Sequence, residues 1–159
     1  MNAHNDNPEA EPHPERGVGR IVVGIDGSDH AEVVLRWAAR MASLAGAELD
    51  VVTVWQPMVL GWMGESAAYG ADDPRGEAEK SLNALVDKVF GAHRPAGLRV
   101  VVQEGDPPHR LVSHAGRALM LVLGSHGRGT LSALVLGSVS AACAARATCP
   151  VVIVPPAAG

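Results

Sequence analysis

Short apolar runs alternate along the chain with longer segments in which apolar residues recur every three or four positions. The run RIVVGID, residues 20–26, is rich in β-branched residues and stops at a glycine, so it predicts a buried strand. The stretch that follows, residues 28–46, has the apolar spacing of an amphipathic helix. Asp29 with Glu32 predicts a capping box at the start of this helix, and Gly46 predicts its end.

The same alternation continues to the C-terminal end of the sequence. Four further strands are predicted at residues 48–55, 98–103, 118–124 and 150–156, and three further helices at residues 75–90, from the cap Asp106 onward, and about 139–147. Strands that are apolar on both faces and separated by helices are typical of a parallel sheet covered on each side. The predicted fold is therefore α/β, a doubly wound five-stranded parallel sheet with helices on both faces.

The length and composition favour a single domain. The 159 residues are 47% hydrophobic and 19% charged, which is ordinary for a globular protein. We expect a disordered tail over residues 1–18, one domain over residues 19–156, and a short tail over residues 157–159. No apolar run reaches the roughly 18–20 residues of a membrane span, and the polar N-terminal segment lacks the apolar centre of a secretory signal. The expected location is the cytoplasm.

Charge is distributed unevenly along the chain. All 17 acidic residues precede Pro107, whereas the segment from Pro107 onward holds four arginines and no carboxylate. Two explanations remain open: an anionic partner, or a mostly buried segment in which ionised side chains are costly. The net charge of −4 and the lack of a basic stripe with aromatic residues argue against nucleic-acid binding.

A glycine-rich loop, GSHGRGTLSALVLGS, follows the fourth predicted strand and leads into the last helix. Ligands of doubly wound sheets bind beyond the carboxyl ends of the strands, where the strand order reverses. Gly124 and Gly127 would let main-chain amides converge there, and Gly137 with Ser138 would begin a helix whose free amides favour an anion. A P-loop is excluded because its motif needs a lysine that this loop lacks.

The spacing of Gly124, Gly127, Gly137 and Ser138 resembles the ATP-binding motif G-x2-G-x9-G-S/T of the universal stress protein family. The resemblance extends beyond this motif. IVVGIDGSDHAEVVLRWAARMA resembles the family's first strand and helix, DVVTVW its second strand, and CPVVIVPP its last strand. Together these segments cover residues 19–156.

The resemblance implies an ATP site, with Mg²⁺ or Mn²⁺ accompanying the triphosphate. It also implies a homodimer paired through the edge strand Val151–Val154. Asp26 matches the family aspartate beside the nucleotide, and Val54 matches the position that contacts adenine. The ribose and phosphate loop is matched by Gly124, Gly127, Gly137, Ser138 and Val139, and Ser125, His126 and Arg128 are further candidate contacts within it.

The sequence leaves more than one interpretation open for some of these residues. His126 either approaches a phosphate or faces solvent, and Arg128 is either a phosphate partner or a solvated loop residue. Leu119 stands where many relatives carry aspartate, and we expect it to alter only the entrance to the fourth strand. His109 and His114 are five residues apart, which does not suit a metal site on one helical face.

The possible functions belong to different classes of protein. No catalytic constellation is evident, so hydrolysis is expected to be weak at most. The hypothesis that fits best is a regulatory ATP-binding dimer of the stress response. A nucleotide-free interaction module of the same fold and a slow ATPase remain as alternatives. An ATP pyrophosphatase is disfavoured because GIDGSDH lacks the S-G-G-x-D-S loop.

Overall fold

The computed structural model describes residues 19–57, 73–126 and 136–156. Within these ranges the chain forms five strands and four helices in strict alternation after β1. In chain order they are β1 (Arg20–Gly24), α1 (Ala31–Ala45), β2 (Glu48–Trp55), α2 (Pro74–Phe90), β3 (Leu98–Glu104), α3 (Pro107–Ala115), β4 (Met120–Gly124), α4 (Ser138–Arg146) and β5 (Val151–Val154).

All five strands lie parallel in one sheet with the order β3-β2-β1-β4-β5. Ile21 of β1 is in register with Leu49 on one side and with Met120 on the other. From β1 the chain therefore adds β2 and β3 on one side. It then crosses back and adds β4 and β5 on the other side of β1. The predicted doubly wound α/β fold is confirmed.

Each face of the sheet carries its own apolar core, because side chains alternate between the two faces of a strand. Helices α1 and α2 cover one face, and helices α3 and α4 cover the other. The first core is centred on Ile21, Val23, Val34, Leu35, Leu49, Val51, Val86 and Val122, and the second on Val22, Val52, Leu111, Ala115, Leu121, Leu123 and Cys143. Burial raises the pKa of the Cys143 thiol to about 11, so this thiol packs as a protonated apolar group.

The helix ends test the cap predictions. Asp106 caps α3 by accepting a hydrogen bond from the backbone N–H of His109, as predicted. Gly46 ends α1 in the left-handed conformation with φ 60°, also as predicted. The predicted Asp29 cap is wrong: the N-cap is His30, without a side-chain hydrogen bond. With His30 as the N-cap, Glu32 is at the second helical position and not at the third, which a capping box requires, and its side chain accepts hydrogen bonds from Arg36.

β2 has its predicted bounds, whereas several other strand and helix bounds differ from the predicted ones by one or two residues. β1 ends at Gly24 instead of residue 26, because the chain turns away from the sheet after Ile25. β5 is limited to Val151–Val154, and α4 begins at Ser138 and ends at Arg146. The predicted tails lie outside the described residues. No helix in the described part of the chain is long and apolar enough to span a bilayer.

Leu119 lies at the amino end of β4, at the opposite end of the strand from the glycine-rich loop. Its backbone N–H donates to the carbonyl of Arg20, and its side chain is 45% exposed. The change expected from Leu119 is therefore one at the entrance of β4, where its partly exposed side chain lies beside β1.

A buried carboxylate ties three strands to α3 near the amino end of β2. Asp50 is fully buried and accepts two hydrogen bonds from the guanidinium of Arg99, at 2.8 and 3.1 Å. The Nε2 atom of His114 lies 2.8 Å from Asp50 Oδ2, and Arg20 Nη1 lies 3.6 Å from the same oxygen. The Gln103 amide donates to His114 Nδ1, so Nε2 carries the proton that binds Asp50. This arrangement compensates a charge that would otherwise be costly to bury.

The pKa of Asp50 is set by two opposing effects. Burial alone raises it, but the hydrogen bonds from His114 and Arg99 and the positive charge of Arg99 lower it further than burial raises it. The pKa of Asp50 therefore lies below its ordinary value. A depressed pKa in the folded state contributes stability that is present above the unfolded-state pKa and is lost as pH falls through the folded-state pKa.

Replacing Asp50 by asparagine is expected to lower the free energy of unfolding at pH 7 by about 2–3 kcal/mol, because Arg99 and His114 lose the buried carboxylate to which they donate. Urea unfolding at pH 7 and at steps below pH 4 measures this loss. The difference from wild type should shrink as the pH falls and the wild-type carboxyl becomes protonated. Asp87→Asn is the matched control, since it breaks the exposed pair with Arg94 and should cost less than about 1 kcal/mol. Equal losses in the two variants would contradict the assigned role of Asp50.

Candidate functional site

A cavity of about 290 Å³ opens at the carboxyl ends of β1, β2 and β4. β1 and β4 are neighbours in the sheet, but α1 continues from β1 on one face and α4 continues from β4 on the other. The strand order reverses at this point, where doubly wound sheets bind their ligands. Among the described residues, the cavity is lined by Gly24, Ile25, Asp26, Ser28, Ala31, Val34, Val52, Thr53, Val54, Pro107, Leu111, Leu123, Gly124, His126, Gly137, Ser138, Val139 and Ser140.

The turn after β1 places Asp26 at the cavity. Its Oδ1 atom accepts a hydrogen bond from the backbone N–H of Ser28 at 3.0 Å, which closes a short turn around Gly27. Gly27 has φ 74°, a left-handed conformation that a Cβ atom disfavours. The second carboxylate oxygen of Asp26 is not used by this bond. Asp26 is exposed and is the single carboxylate among the described lining residues.

The main chain of β2 is open on the cavity side. The N–H of Ile25 donates to the carbonyl of Val52 at 2.8 Å, so Val52 points its main-chain groups towards β1. Main-chain groups two residues apart in a strand point to the same side. The N–H and C=O of Val54 therefore point past the end of β1, whose last strand residue pairs with Val52.

Hydrogen bonds hold the end of β4 against α4 and β5. The N–H of Ser125 donates to the carbonyl of Val154 at 3.0 Å, and its carbonyl accepts from the N–H of Gly137 at 2.8 Å. The hydroxyl of Ser140 donates to the carbonyl of Gly124 at 2.6 Å. The two ends of the segment 126–136 are therefore fixed beside each other.

The first turn of α4 brings to the cavity donors that have no acceptor among the described residues. Gly137 is the N-cap and supplies no side chain, and the first helical bond runs from Ala141 N–H to the Gly137 carbonyl. The amides of Ser138, Val139 and Ser140 precede that bond and have no intrahelical acceptor. The helix dipole adds a partial positive charge at the same place.

His126 lines the same cavity. Its Nδ1 atom is 2.8 Å from the hydroxyl oxygen of Ser125. Its Nε2 atom is buried and has no hydrogen-bond partner among the described residues. If the Ser125 hydroxyl donates to Nδ1, the proton of the neutral ring lies on Nε2, which adds one more donor beside the cavity.

The structure brings most of the residues predicted from sequence into one place. Those that line the cavity are Asp26, Val54, Gly124, His126, Gly137, Ser138 and Val139. Ser125 is 8% exposed and lies behind this lining, where it contacts His126 and Gly137. Gly127 and Arg128 lie outside the described residues.

Sequence reasoning did not identify Ser140 or the apolar residues of α3. Ser140 is 6% exposed and reaches back from the first turn of α4 to β4. A side chain in a helix points towards the helix N-terminus, so a hydroxyl two residues after Ser138 was a usable signal. Pro107 and Leu111 had no such signal, because only the packing of α3 on the sheet brings them to the cavity.

A second cavity, of about 550 Å³, adjoins the first between α1, β2 and α2. Asp26, Ser28, Thr53 and Val54 belong to the lining of both. Its other described lining residues include Trp55, Glu77 and Ser81. In the described part of the chain, no cluster of three or more His, Cys, Asp or Glu side chains could hold a metal ion by itself.

The fold and the cavity define a doubly wound α/β protein with its cleft at the switch point of the sheet. The family model "Universal stress protein family" matches residues 17–155. The chain belongs to the universal stress protein family.

Curated relatives from Mycobacterium tuberculosis agree with this assignment. Universal stress protein Rv2005c is 32% identical over 149 residues, covering 91% of this chain and 50% of the relative. Universal stress protein Rv2623 is 33% identical over 139 residues, covering 84% of this chain and 46% of the relative. The chain therefore spans about half the length of these relatives.

Solved structures of the family share the fold. Universal stress protein UspA from Lactobacillus plantarum superposes with a TM-score of 0.70 at 19% identity, covering 88% of this chain and 99% of that one. A universal stress protein solved in complex with cAMP has a TM-score of 0.62 at 28% identity, covering 86% of this chain and 96% of that one.

Replacing Gly27 by valine is expected to lower the free energy of unfolding by about 1–3 kcal/mol, because a β-branched residue is strained at positive φ. Gly27→Asn should cost less, since asparagine tolerates the left-handed region. Urea unfolding of both variants measures the difference. Equal stability of the valine variant and wild type would show that the turn does not require this conformation.

Proposed function

We propose that this chain binds an adenine nucleotide, ATP with Mg²⁺ or Mn²⁺, in the cavity at the switch point, and acts as a regulatory homodimer in a cytoplasmic stress response. The observation that carries the proposal is the start of α4, where uncapped amides lie in a cavity that also reaches the open edge of β2. The family relative solved with cAMP supports a ligand of this class.

The phosphate groups are assigned to the start of α4. Ser138 offers a main-chain amide and a hydroxyl, and the amide of Val139 follows it. Backbone donors at a helix N-terminus bind phosphate through hydrogen bonds and the helix dipole together. Gly124, Ser125, His126, Gly127 and Arg128 complete the proposed phosphate and ribose site. An anionic ligand also accounts for the lack of carboxylates after Asp106, which sequence alone left open.

The adenine base is assigned to the edge of β2 beside Val54. A donor and an acceptor on the same main-chain residue can pair with the ring nitrogen and the amino group on one edge of adenine. The side chains of Val52, Val54 and Leu111 give the base an apolar surface. The free oxygen of Asp26 is placed to accept a hydrogen bond from the bound nucleotide.

A divalent ion fits this site only as a partner of the phosphates. Mg²⁺ keeps several waters and is usually held by one or two carboxylates together with phosphate oxygens. Asp26 and the hydroxyl of Ser138 are the cavity groups suited to assist it. When bound, the ion would neutralise part of the triphosphate charge.

The cavity is better suited to holding a nucleotide than to hydrolysing it. Phosphoryl transfer needs charge stabilisation and a positioned nucleophile. Among the described lining residues there is no lysine or arginine, and Asp26 is the one carboxylate. We therefore assign no catalytic residue and expect slow hydrolysis at most.

Isothermal titration calorimetry tests the proposal on protein freed of copurified nucleotide. We expect ATP-Mg to bind with a micromolar or lower Kd, which is about −8 kcal/mol or better. Mass spectrometry of the denatured, purified protein should detect bound ATP or another adenine nucleotide. No binding heat and no copurified nucleotide would reject ATP and favour an interaction module of the same fold.

The variant Ser138→Glu should separate binding from folding. A carboxylate in the first turn of α4 favours the helix dipole by about 0.3–1 kcal/mol, so stability should hold or rise. The same charge would lie near the phosphates, where repulsion of about 4 kcal/mol at 4 Å would reduce ATP affinity more than a hundredfold. Ser138→Gln is the matched neutral control and should lose only the contribution of the hydroxyl, about tenfold in affinity and well below the loss in Ser138→Glu. Wild-type affinity in Ser138→Glu would place the phosphates elsewhere.

The proposed homodimer forms through β5, the strand at one edge of the sheet. Val151, Val152 and Ile153 are partly exposed, and an apolar edge strand needs a cover. The carbonyls of Pro150 and Val154 accept hydrogen bonds from β4 and the residue after it. Main-chain groups alternate in direction, so those of Val151 and Ile153 point away from β4 and are available to a second copy.

Replacing Ile153 by proline should convert the dimer to a monomer, because it removes an N–H that points outward while leaving the bonds to β4 intact. Sedimentation analysis measures the mass, and circular dichroism checks the fold. Ile153→Ala is the control for loss of the side chain and should stay dimeric. A dimer in the proline variant would exclude pairing through this edge, and a monomeric wild type would reject the homodimer.

A further inference from the structure

The two carbonyl groups at the end of β4 are each bound by a donor from the start of α4. The Ser125 carbonyl accepts from the Gly137 N–H at 2.8 Å, and the Gly124 carbonyl accepts from the Ser140 hydroxyl at 2.6 Å. The second bond joins residues 16 apart in the sequence, so it is a tertiary contact.

Ser140 makes this bond from a protected position. It is 6% exposed, and both Ser140 and Gly124 line the cavity. A serine within a helix often donates to the carbonyl four residues earlier, which bends the helix. Here the hydroxyl is directed across to β4 instead.

The bond changes what the cavity presents to an anion. A carbonyl oxygen carries partial negative charge, and in a poorly solvated site it would repel a phosphate. Because the Gly124 and Ser125 carbonyls are already hydrogen-bonded, the polar groups that this part of the described cavity wall offers to a phosphate are the amides that begin α4. The same bond fixes the first turn of α4 against the sheet, so these amides keep their position.

We propose that Ser140 is a positioning residue that makes the cavity selective for the charged part of a nucleotide. This inference rests on the proposed nucleotide function and deepens it. Ser140 acts through the Gly124 carbonyl and the placement of α4, and it contacts no ligand atom in this role. The ligand class it favours is a nucleotide with several phosphates over the uncharged nucleoside.

The test is a set of binding titrations with adenosine, AMP, ADP and ATP in the presence of EDTA, so that ligand charge rises with each phosphate. Wild type is compared with Ser140→Ala, Ser140→Cys and Ser140→Thr, and Ser43→Ala on the exposed side of α1 is the matched control. Threonine keeps the hydroxyl, cysteine keeps only a weak donor, and alanine has none.

The expected result is a loss that grows with ligand charge. Ser140→Ala should bind adenosine as wild type does, AMP about two- to threefold more weakly, and ATP about tenfold more weakly. Ser140→Cys should show a smaller loss with the same dependence, which keeps the test decisive if the alanine variant folds poorly. Ser140→Thr should recover most of the affinity, and Ser43→Ala should match wild type.

Three results would overturn the inference. Unchanged ATP affinity in Ser140→Ala would show that the bond does not matter for binding. An equal loss for all four ligands would show a general structural role without charge selectivity. A wild type that binds none of the four ligands, either in EDTA or with Mg²⁺ in its place, would overturn the proposed function and this inference together, which distinguishes that failure from the first two.

Discussion

The candidate site depends on how two neighbouring parallel strands end. β1 and β4 lie side by side, but α1 continues from β1 on one face and α4 continues from β4 on the other. The backbones diverge at this point and cannot fill the space between them. The cavity is therefore a consequence of the strand order, and the residues just after Gly24 and Gly124 line it.

The two ends of the sheet differ in their electrostatics. Near the amino end of β2, the buried Asp50 is paired with Arg99 and His114, so a fixed charge is compensated inside the protein. At the carboxyl ends, the amides that begin α4 precede the first helical bond and border an open cavity. The first arrangement stabilises the fold without a ligand, whereas the second is complete only when an acceptor arrives.

The α3 helix connects these two ends. His114, near its C-terminus, binds Asp50, while Pro107 and Leu111 line the cavity one to two turns earlier. The buried pair therefore helps to fix a helix that forms one wall of the proposed site. Such a wall would favour binding of the proposed nucleotide, because a preorganised site does not have to be ordered on binding.

The sequence by itself determined the order of strands and helices, the parallel sheet, and the placement at the cavity of Gly124 and Gly137, which flank the glycine-rich loop. These follow from local periodicity, from caps such as Asp106 and Gly46, and from motif spacing, all of which are written in nearby residues. It misplaced the N-cap of α1, because the helix begins at Ala31 and Glu32 is then not at the third helical position that a capping box requires. Only the tertiary structure decided that Asp50 is fully buried among cations, that Leu111 reaches the cavity, and that Ser140 binds Gly124. Each of these contacts joins residues distant in sequence, so no local pattern encodes it.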